Sequence, residues 1–280
     1  MLVIADSGSS TTQWALVSDD GQVAQRTSEG LNPRFTTDDR FLQTVGEVLD
    51  GQHEVSHLFF YGAGCGDHVT CSRYTTLLSN LLPHAAIHVE SDLIGACLAV
   101  RQAGVVGILG TGSHACFFDG TQVLSQAPSL GYVLGDEGSG NHIGRMLWHA
   151  HWHHTMPAHI ERAFAQAFPL QLPEFLDNVY RQPHPNRFLA QAAPFASIHK
   201  ADPFIQQLLL SSFESYLSTV VAPLCDIHNN RCLHLVGSVA WHFRNEVAIA
   251  AVKYGLHIDS TLQYPLSRLI SYHLSLLKQP

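Results

Sequence analysis

The feature that most restricts this chain is an internal repeat. Residues 2–5 form a short apolar run that ends at Asp6-Ser7-Gly8-Ser9-Ser10. Residues 12–17 then alternate in part, Asp20-Gly21 turns, and residues 22–27 continue. Further on, residues 105–109 are again apolar and end in Gly110-Thr111-Gly112-Ser113. They lead to residues 114–118, the turn Asp119-Gly120 and residues 121–126. Each copy reads as a buried strand, a turn of small residues, a second strand, an Asp-Gly hairpin and a third strand. The dipeptide Gln-Val recurs in the third strand, as Gln22-Val23 and Gln122-Val123. A chain that repeats a unit in this order is expected to fold as two related lobes.

The first copy continues with helical spacing at Phe41, Leu42, Val45, Val48 and Leu49. A strand at 57–61, a helix near 74–82, a strand at 86–90 and a helix at 91–100 follow, giving the order βββαβαβα. In the second copy, a helix-rich stretch punctuated by prolines follows Leu130, then an apolar-periodic segment at 204–228. A buried strand at 233–236 ends in Gly237-Ser238-Val239, and residues 265–277 read as a closing helix. The division expected is an N-terminal lobe of residues 1–101 plus 265–280, and a second lobe of 102–264 with a helical insertion at about 146–230. With 280 residues, 46% of them hydrophobic, there is apolar material for two cores.

Charge and cysteine usage remove several classes of partner. Lys and Arg total 15 against 23 Asp and Glu, a formal charge of −8, and no basic run could follow a phosphate backbone, so no nucleic-acid partner is expected. The N-terminus lacks the basic start and apolar length of a signal peptide, and no later run reads as crossing a bilayer, so no membrane partner and a cytoplasmic location are expected. The six cysteines contain no CxxC pair and read as reduced thiols. Adjacent His149, His151, His153 and His154 are interleaved with Trp148 and Trp152, which favours packing over a metal site.

Turns of glycine, serine and threonine after buried strands offer backbone N–H groups and hydroxyls with little side-chain bulk. That is what phosphate oxygens need, and two such turns in equivalent places of a repeat point to a nucleotide. Asp6, at the first turn, has the chemistry to hold a hydrated magnesium ion, or else to cap the turn. Asp92 follows a strand and opens a helix, where an N-cap is the structural alternative. Gly135-Asp136-Glu137-Gly138-Ser139-Gly140 sets three glycines around two acids just before a helix, the pattern of a backbone that approaches a polar ligand.

Taken in order, Asp6-Ser7-Gly8-Ser9, Ser91-Asp92, Leu109-Gly110-Thr111-Gly112-Ser113, the Leu134–Gly140 segment and Val236-Gly237-Ser238-Val239 resemble the N-acetylglucosamine kinase family, which includes BadF/BadG/BcrA/BcrD-type ATPases. The resemblance runs from residue 1 to about 145 and resumes around 232–243. It implies an α/β fold of two ribonuclease-H-like lobes, that of the actin-like ATPases, with ATP in the cleft between them. It also implies Asp92 as catalytic base, Asp6 as the residue positioning Mg2+, and Ser9, Ser10 and Thr11 facing the phosphates from lobe one. Thr111, Gly112 and Ser113 would hold them from lobe two, Gly237 and Ser238 would border the adenosine, and Asn32, Gly131 and Asp136 would grip the sugar. The implied partners are ATP and a small-molecule amino sugar, with a homodimer as an allowed assembly.

Two departures from the family pattern accompany this. The first turn lacks the extra glycine and the lysine near Thr11 found in many relatives, and residues 264–269 lack a small-residue pattern. Two other readings follow from the same family. One is an ATPase activator that would need an iron–sulfur cluster, for which nothing marks Cys65 and Cys71 as ligands; the other is a sugar- or nucleotide-binding regulator without catalysis.

Overall fold

In the computed structural model, which describes residues 1–50 and 54–277, the chain forms two compact units, Met1–Arg101 with Tyr264–Pro280, and Gln102–Gln263. The last residues of the expected N-terminal lobe, 278–280, lie outside the described residues. Each unit is built on a five-stranded mixed sheet, and the two sheets have the same strand order.

In the first unit, β1 (Leu2–Ser7), β2 (Thr11–Val17) and β3 (Val23–Glu29) form an antiparallel meander. The central strand β1 then pairs in parallel with β4 (His57–Gly62), and β4 with β5 (Ala86–Ser91), giving the order β3-β2-β1-β4-β5. The parallel connections run through α1 (Asp38–Leu49) and α2 (His68–Leu81), and α3 (Asp92–Val100) follows β5. Helix α2 starts six residues earlier than its apolar pattern suggests, because Asp67 accepts from the Thr70 backbone N–H at 2.9 Å and begins the helix over a polar first turn. One face of the sheet buries Trp14, Phe41, Phe60 and Tyr74. The Phe41 and Tyr74 rings stack at 3.9 Å, and Phe41 meets Phe60 edge-on at 5.6 Å. The other face carries α3 and the closing helix α14 (Leu266–Leu277), which packs on α3, β1 and β2. Its His273 stacks on Phe59 at 3.8 Å and meets the Tyr61 hydroxyl at 2.8 Å.

The second unit repeats the meander in β6 (Gly104–Leu109), β7 (Ser113–Phe118) and β8 (Val123–Gln126), and adds β9 (Cys232–Val236) and β10 (His257–Leu262) in parallel, in the order β10-β9-β6-β7-β8. In the β2–β3 and β7–β8 turns Gly21 and Gly120 have φ of 85° and 100°, so the two Asp-Gly hairpins use the same left-handed conformation. Between β8 and β9 lie α4 (Gly131–Leu134), α5 (Gly140–Trp152), α6 (Ala158–Ala167), α7 (Leu172–Tyr180), α8 (Pro185–Ala190), α9 (Ala193–Ile198), α10 (Pro203–Tyr216) and α11 (Ala222–His228). Helices α12 (Ser238–His242) and α13 (Arg244–Val252) connect β9 to β10. Helices α10 and α11 are continuous through a π-helical turn, Leu217–Val221, just before Pro223, whose missing N–H breaks the regular ladder.

That continuous helix amends one expectation. Pro203–His228 is long and apolar enough by length and composition to cross a membrane, and half of its most apolar window is buried inside the protein. Leu209, Phe213, Tyr216, Leu217 and Val221 are in the second core, and Tyr216 lies against Gly107 of β6, where a Cβ would strike its hydroxyl.

Two stability predictions follow. At Gly144 of α5 a Cβ would collide with the Leu189 carbonyl of α8. Gly144→Ala therefore lowers stability by about 1–3 kcal/mol through overpacking, although helix propensity alone favours alanine by about 1 kcal/mol; the sign of the Tm change in thermal unfolding decides between them. Burial and the neighbouring His88 hold the His273 imidazole down at about 4. Below its ordinary range the unfolded chain takes up a proton that the folded chain refuses, so stability falls as pH drops from 6.5 toward 4. The stability advantage of wild type over His273→Gln should shrink by on the order of 1 kcal/mol between pH 7 and pH 5, and a pH-independent gap in denaturant titrations counts against this.

Candidate active site

The residues assigned to magnesium, ATP and sugar lie at or just beyond strand ends or in the segments that follow them. In the first unit, Ser7 is buried at the end of β1, its Oγ 2.8 Å from Thr12 Oγ1 and accepting from the Leu31 backbone N–H at 3.1 Å. Thr12 Oγ1 in turn donates to the Glu29 carbonyl at 2.8 Å. These bonds fix the Gly8–Thr11 turn, which closes through Gly8 N–H to the Thr11 carbonyl at 3.0 Å. Gly30 packs directly under the turn, where a Cβ would come within 2.5 Å of the Gly8 carbonyl. Ser9 is half-buried, and Ser10 and Thr11 are exposed. Asn32 is buried beside them: its Nδ2 donates to Ser9 Oγ at 3.4 Å and its Oδ1 accepts from the Arg34 backbone N–H at 3.0 Å.

Asp6 is in register with Tyr61 across the β1–β4 pair, so the two side chains share the sheet face covered by α3 and α14. Asp92 opens α3 at the end of β5, two strand spacings or ~10 Å from β1. The capping role weighed for Asp92 belongs instead to Ser91, whose side chain accepts from the Ile94 backbone N–H at 3.3 Å. Asp92 is thus a half-buried first-turn carboxylate that does not serve as the cap. Burial, and then the charge of Asp92, push the Asp6 carboxyl up to about 7. A buried carboxyl whose ionisation is made costly by a second acid nearby suits a divalent cation, which offsets that cost.

In the second unit three segments meet at the end of β6. The Asp136 carboxylate accepts from the Ser113 backbone N–H at 3.2 Å and from Asn141 Nδ2 at 2.8 Å, and Asn141 Nδ2 also donates to the Thr111 carbonyl at 2.7 Å. Gly112 lies against Asp136 so closely that a Cβ would stand 3.1 Å from both carboxylate oxygens. Burial raises the Asp136 pKa, opposed by these donors and by Arg145. Gly140 N–H donates to the Gly110 carbonyl at 2.8 Å, which couples the start of α5 to the Thr111–Ser113 turn. Gly237 has a φ of 120° and donates to the Leu262 carbonyl at 2.8 Å; a Cβ there would strike the Leu109 carbonyl. Ser238 is exposed at the start of α12, and Gly131, with φ of 71°, opens α4.

Sequence reasoning passed over the residues that hold this frame. Asn141 links Asp136 to Thr111. Arg145 donates to the Tyr132 and Gly135 carbonyls at 2.5 and 3.2 Å, tying α4 to α5. His142, one turn into α5, accepts at Nδ1 from the Gly138 N–H at 3.3 Å and lies 2.8 Å from Ser212 Oγ of α10, and burial lowers it to about 4 so that it stays neutral. Only the i, i+3 and i, i+4 spacing from the glycine-rich loop hinted at them. In the histidine tract, His151 pairs with Glu161 at 2.7 Å and Trp148 packs edge-on to Phe164 at 4.9 Å, while His149 and His153 are exposed with rings 4.4 Å apart. Cys65 is buried, and the Cys71 thiol donates to its carbonyl at 3.3 Å.

Comparison with protein-family models gives no match, and neither does comparison with curated proteins. Solved structures do match. A provisionally named N-acetylglucosamine kinase from Porphyromonas gingivalis is 34% identical, with a TM-score of 0.90, over 98% of this chain and 99% of its own. A second, from Chromobacterium violaceum, is 17% identical with a TM-score of 0.72 over 97% and 98%. A ROK family glucokinase from Streptomyces griseus, solved with glucose and AMPPNP, shares the fold at 13% identity, TM-score 0.58, over 97% of each chain. With two repeated α/β units of the actin-like ATPase fold and a third of its residues shared with a relative along nearly the whole length of both, the chain belongs to the N-acetylglucosamine kinase family.

Proposed function

We propose that the chain is an ATP-dependent kinase that transfers the γ-phosphoryl group of ATP to a hydroxyl, O6, of an amino sugar such as N-acetylglucosamine. The observation that carries the reading is the pairing of two acids from separate strand ends, Asp6 on β1 and Asp92 at the start of α3, close enough that the charge of Asp92 raises the Asp6 carboxyl. Asp92 stands half-buried at the first position of α3, and Ser91 supplies the cap. The names of the structural relatives, two of them amino-sugar kinases, support the same substrate class.

In this reading Asp92 accepts the proton of the sugar O6–H as that oxygen attacks the γ-phosphorus; the O6–P bond forms, the bond from γ-phosphorus to the bridging oxygen breaks, and ADP leaves. Asp6 holds Mg2+, which when bound neutralises phosphate charge. Ser9, Ser10 and Thr11 of the first unit and Thr111, Gly112 and Ser113 of the second face the phosphates with hydroxyls and backbone N–H groups. Gly237 and Ser238 border the adenosine, and Asn32, Gly131 and Asp136 bind the sugar. Asp136 has a second task, because its carboxylate also anchors the Thr111–Ser113 turn. A cytoplasmic location and a homodimer go with this reading, and no nucleic-acid or membrane partner does.

The reading is tested by ADP release with magnesium-ATP across amino sugars, neutral hexoses and a no-sugar control, with mass spectrometry of the product. Sugar-dependent ADP and a sugar monophosphate are expected, and hydrolysis independent of sugar overturns it. Asp92→Asn should lower kcat by about 10²–10⁴-fold while ATP binding, measured by calorimetry, stays near wild type; near-normal turnover would show that another carboxylate is the base. Asp136→Ala should raise the KM for sugar by about ten- to a hundredfold, the loss of charge-assisted hydrogen bonds, and raise the KM for ATP with it. A change confined to the sugar would mean that the turn keeps its shape without the carboxylate.

A further inference from the structure

At the start of β9, away from the loops after β6 and β9, the second unit brings a thiol, an imidazole and a carboxylate together. Cys232 and His234 are two residues apart on one strand and so project from the same face. Cys232 Sγ lies 3.5 Å from His234 Nε2, and Asp259 Oδ2 lies 3.8 Å from His234 Nδ1. One donor atom from each of the three falls within 4.8 Å of the others.

Asp259 reaches this position through an irregularity in the sheet. The β9–β10 register passes from Ile258 opposite Leu233 to Ser260 opposite His234, so Asp259 is an extra residue in β10. Such a bulge turns a side chain toward a place that regular pairing would deny it, at the cost of a local ladder bond. Gly104 of β6 completes the enclosure. Its φ is 151°, and a Cβ would stand 2.8 Å from the Cys232 carbonyl and 3.1 Å from His234 Cδ2, so only glycine lets β6 lie against both residues. His234 is fully buried, Cys232 is half-buried and Asp259 is exposed, an order that leaves one side open to solvent.

From this geometry we propose that Cys232, His234 and Asp259 form a binding site for a zinc-type divalent transition-metal ion. Ligands about 2.3 Å (sulfur) and about 2.0–2.1 Å (nitrogen) from a tetrahedral ion stand about 3.5 Å apart, which is the Cys232–His234 separation. Coordination through Nε2, which gives up its 3.4 Å contact with the Ala103 carbonyl, leaves Nδ1–H to donate to Ser260 Oγ, 2.9 Å away, the outer bond that fixes the tautomer and orientation of a metal-bound imidazole. Thiolate, carboxylate and neutral imidazole together carry two negative charges, which a divalent ion neutralises. Asp259 Oδ2 now lies nearer Nδ1, so the exposed side chain swings toward the Nε2 edge to close the third bond, and water fills the fourth position. The site is independent of the kinase reading, since it uses none of the residues assigned to ATP or sugar.

The test is titration of the full chain, stripped of metal, with Co2+ and then Zn2+. One equivalent of Co2+ is expected to give a thiolate-to-cobalt charge-transfer band that Zn2+ abolishes by displacement. Cys232→Ser should remove the band, and the double variant His149→Ala/His153→Ala should keep it, separating this site from the exposed histidines of α5. Ser260→Ala should weaken affinity by about tenfold, and Asp259→Asn, a surface change that spares folding, by more. No band in the wild type, a band that survives Cys232→Ser, or unchanged affinity in Asp259→Asn overturns the assignment and leaves a thiol–imidazole hydrogen bond in its place.

Discussion

The carbonyl groups of Leu109 and Gly110, at the end of β6, are approached by Gly237 and Gly140, and the approach is close enough that a side chain on Gly237 would enter the Leu109 carbonyl. Backbone thereby meets backbone without intervening side chains. The turn after β6, the start of α5 and the turn after β9 become one rigid surface of N–H and C=O groups. The Asp136 carboxylate completes it by bonding the Thr111–Ser113 turn to Asn141 on α5. Asp136 itself has a φ of 62°, a conformation that aspartate tolerates better than most residues and that the surrounding bonds enforce.

The first unit solves the same problem with hydroxyls. Ser7 and Thr12 bond across the base of the turn after β1, and Gly30 lets the start of the next loop pass beneath it. The acids are then distributed over two strand ends, Asp6 on β1 and Asp92 after β5, with Ser91 taking the capping duty. Here the fold decides the chemistry, since the electrostatic cost that Asp92 imposes on Asp6 comes from parallel pairing of strands far apart in sequence.

Much of this architecture was legible in the chain. Apolar runs ending in small-residue turns, and Asp-Gly pairs with left-handed glycines, are local signals, and they placed the six strands of the two meanders. Boundaries failed where polar residues began an element, as in α2, whose first turn is set by the Asp67 cap rather than by apolar spacing. The apolar segment at 204–228 was legible as a helix, but its role was not. Its Tyr216 supports both Gly107 and Gly138, a contact that joins residues widely separated along the chain.

By itself the sequence determined the repeated meanders, because strand and turn propensities act between near neighbours, and its ordered motifs carried the likeness that implied the two-lobe fold and the family. Only the tertiary structure decided which polar groups are committed to the frame and which face outward. Ser91 rather than Asp92 caps α3, Asp136 anchors a neighbouring turn, and an extra residue in β10 sets Asp259 beside Cys232 and His234. The reason is physical. A hydrogen bond, a close glycine contact or a bulge depends on distances between atoms of different elements, and these exist only once the elements have packed.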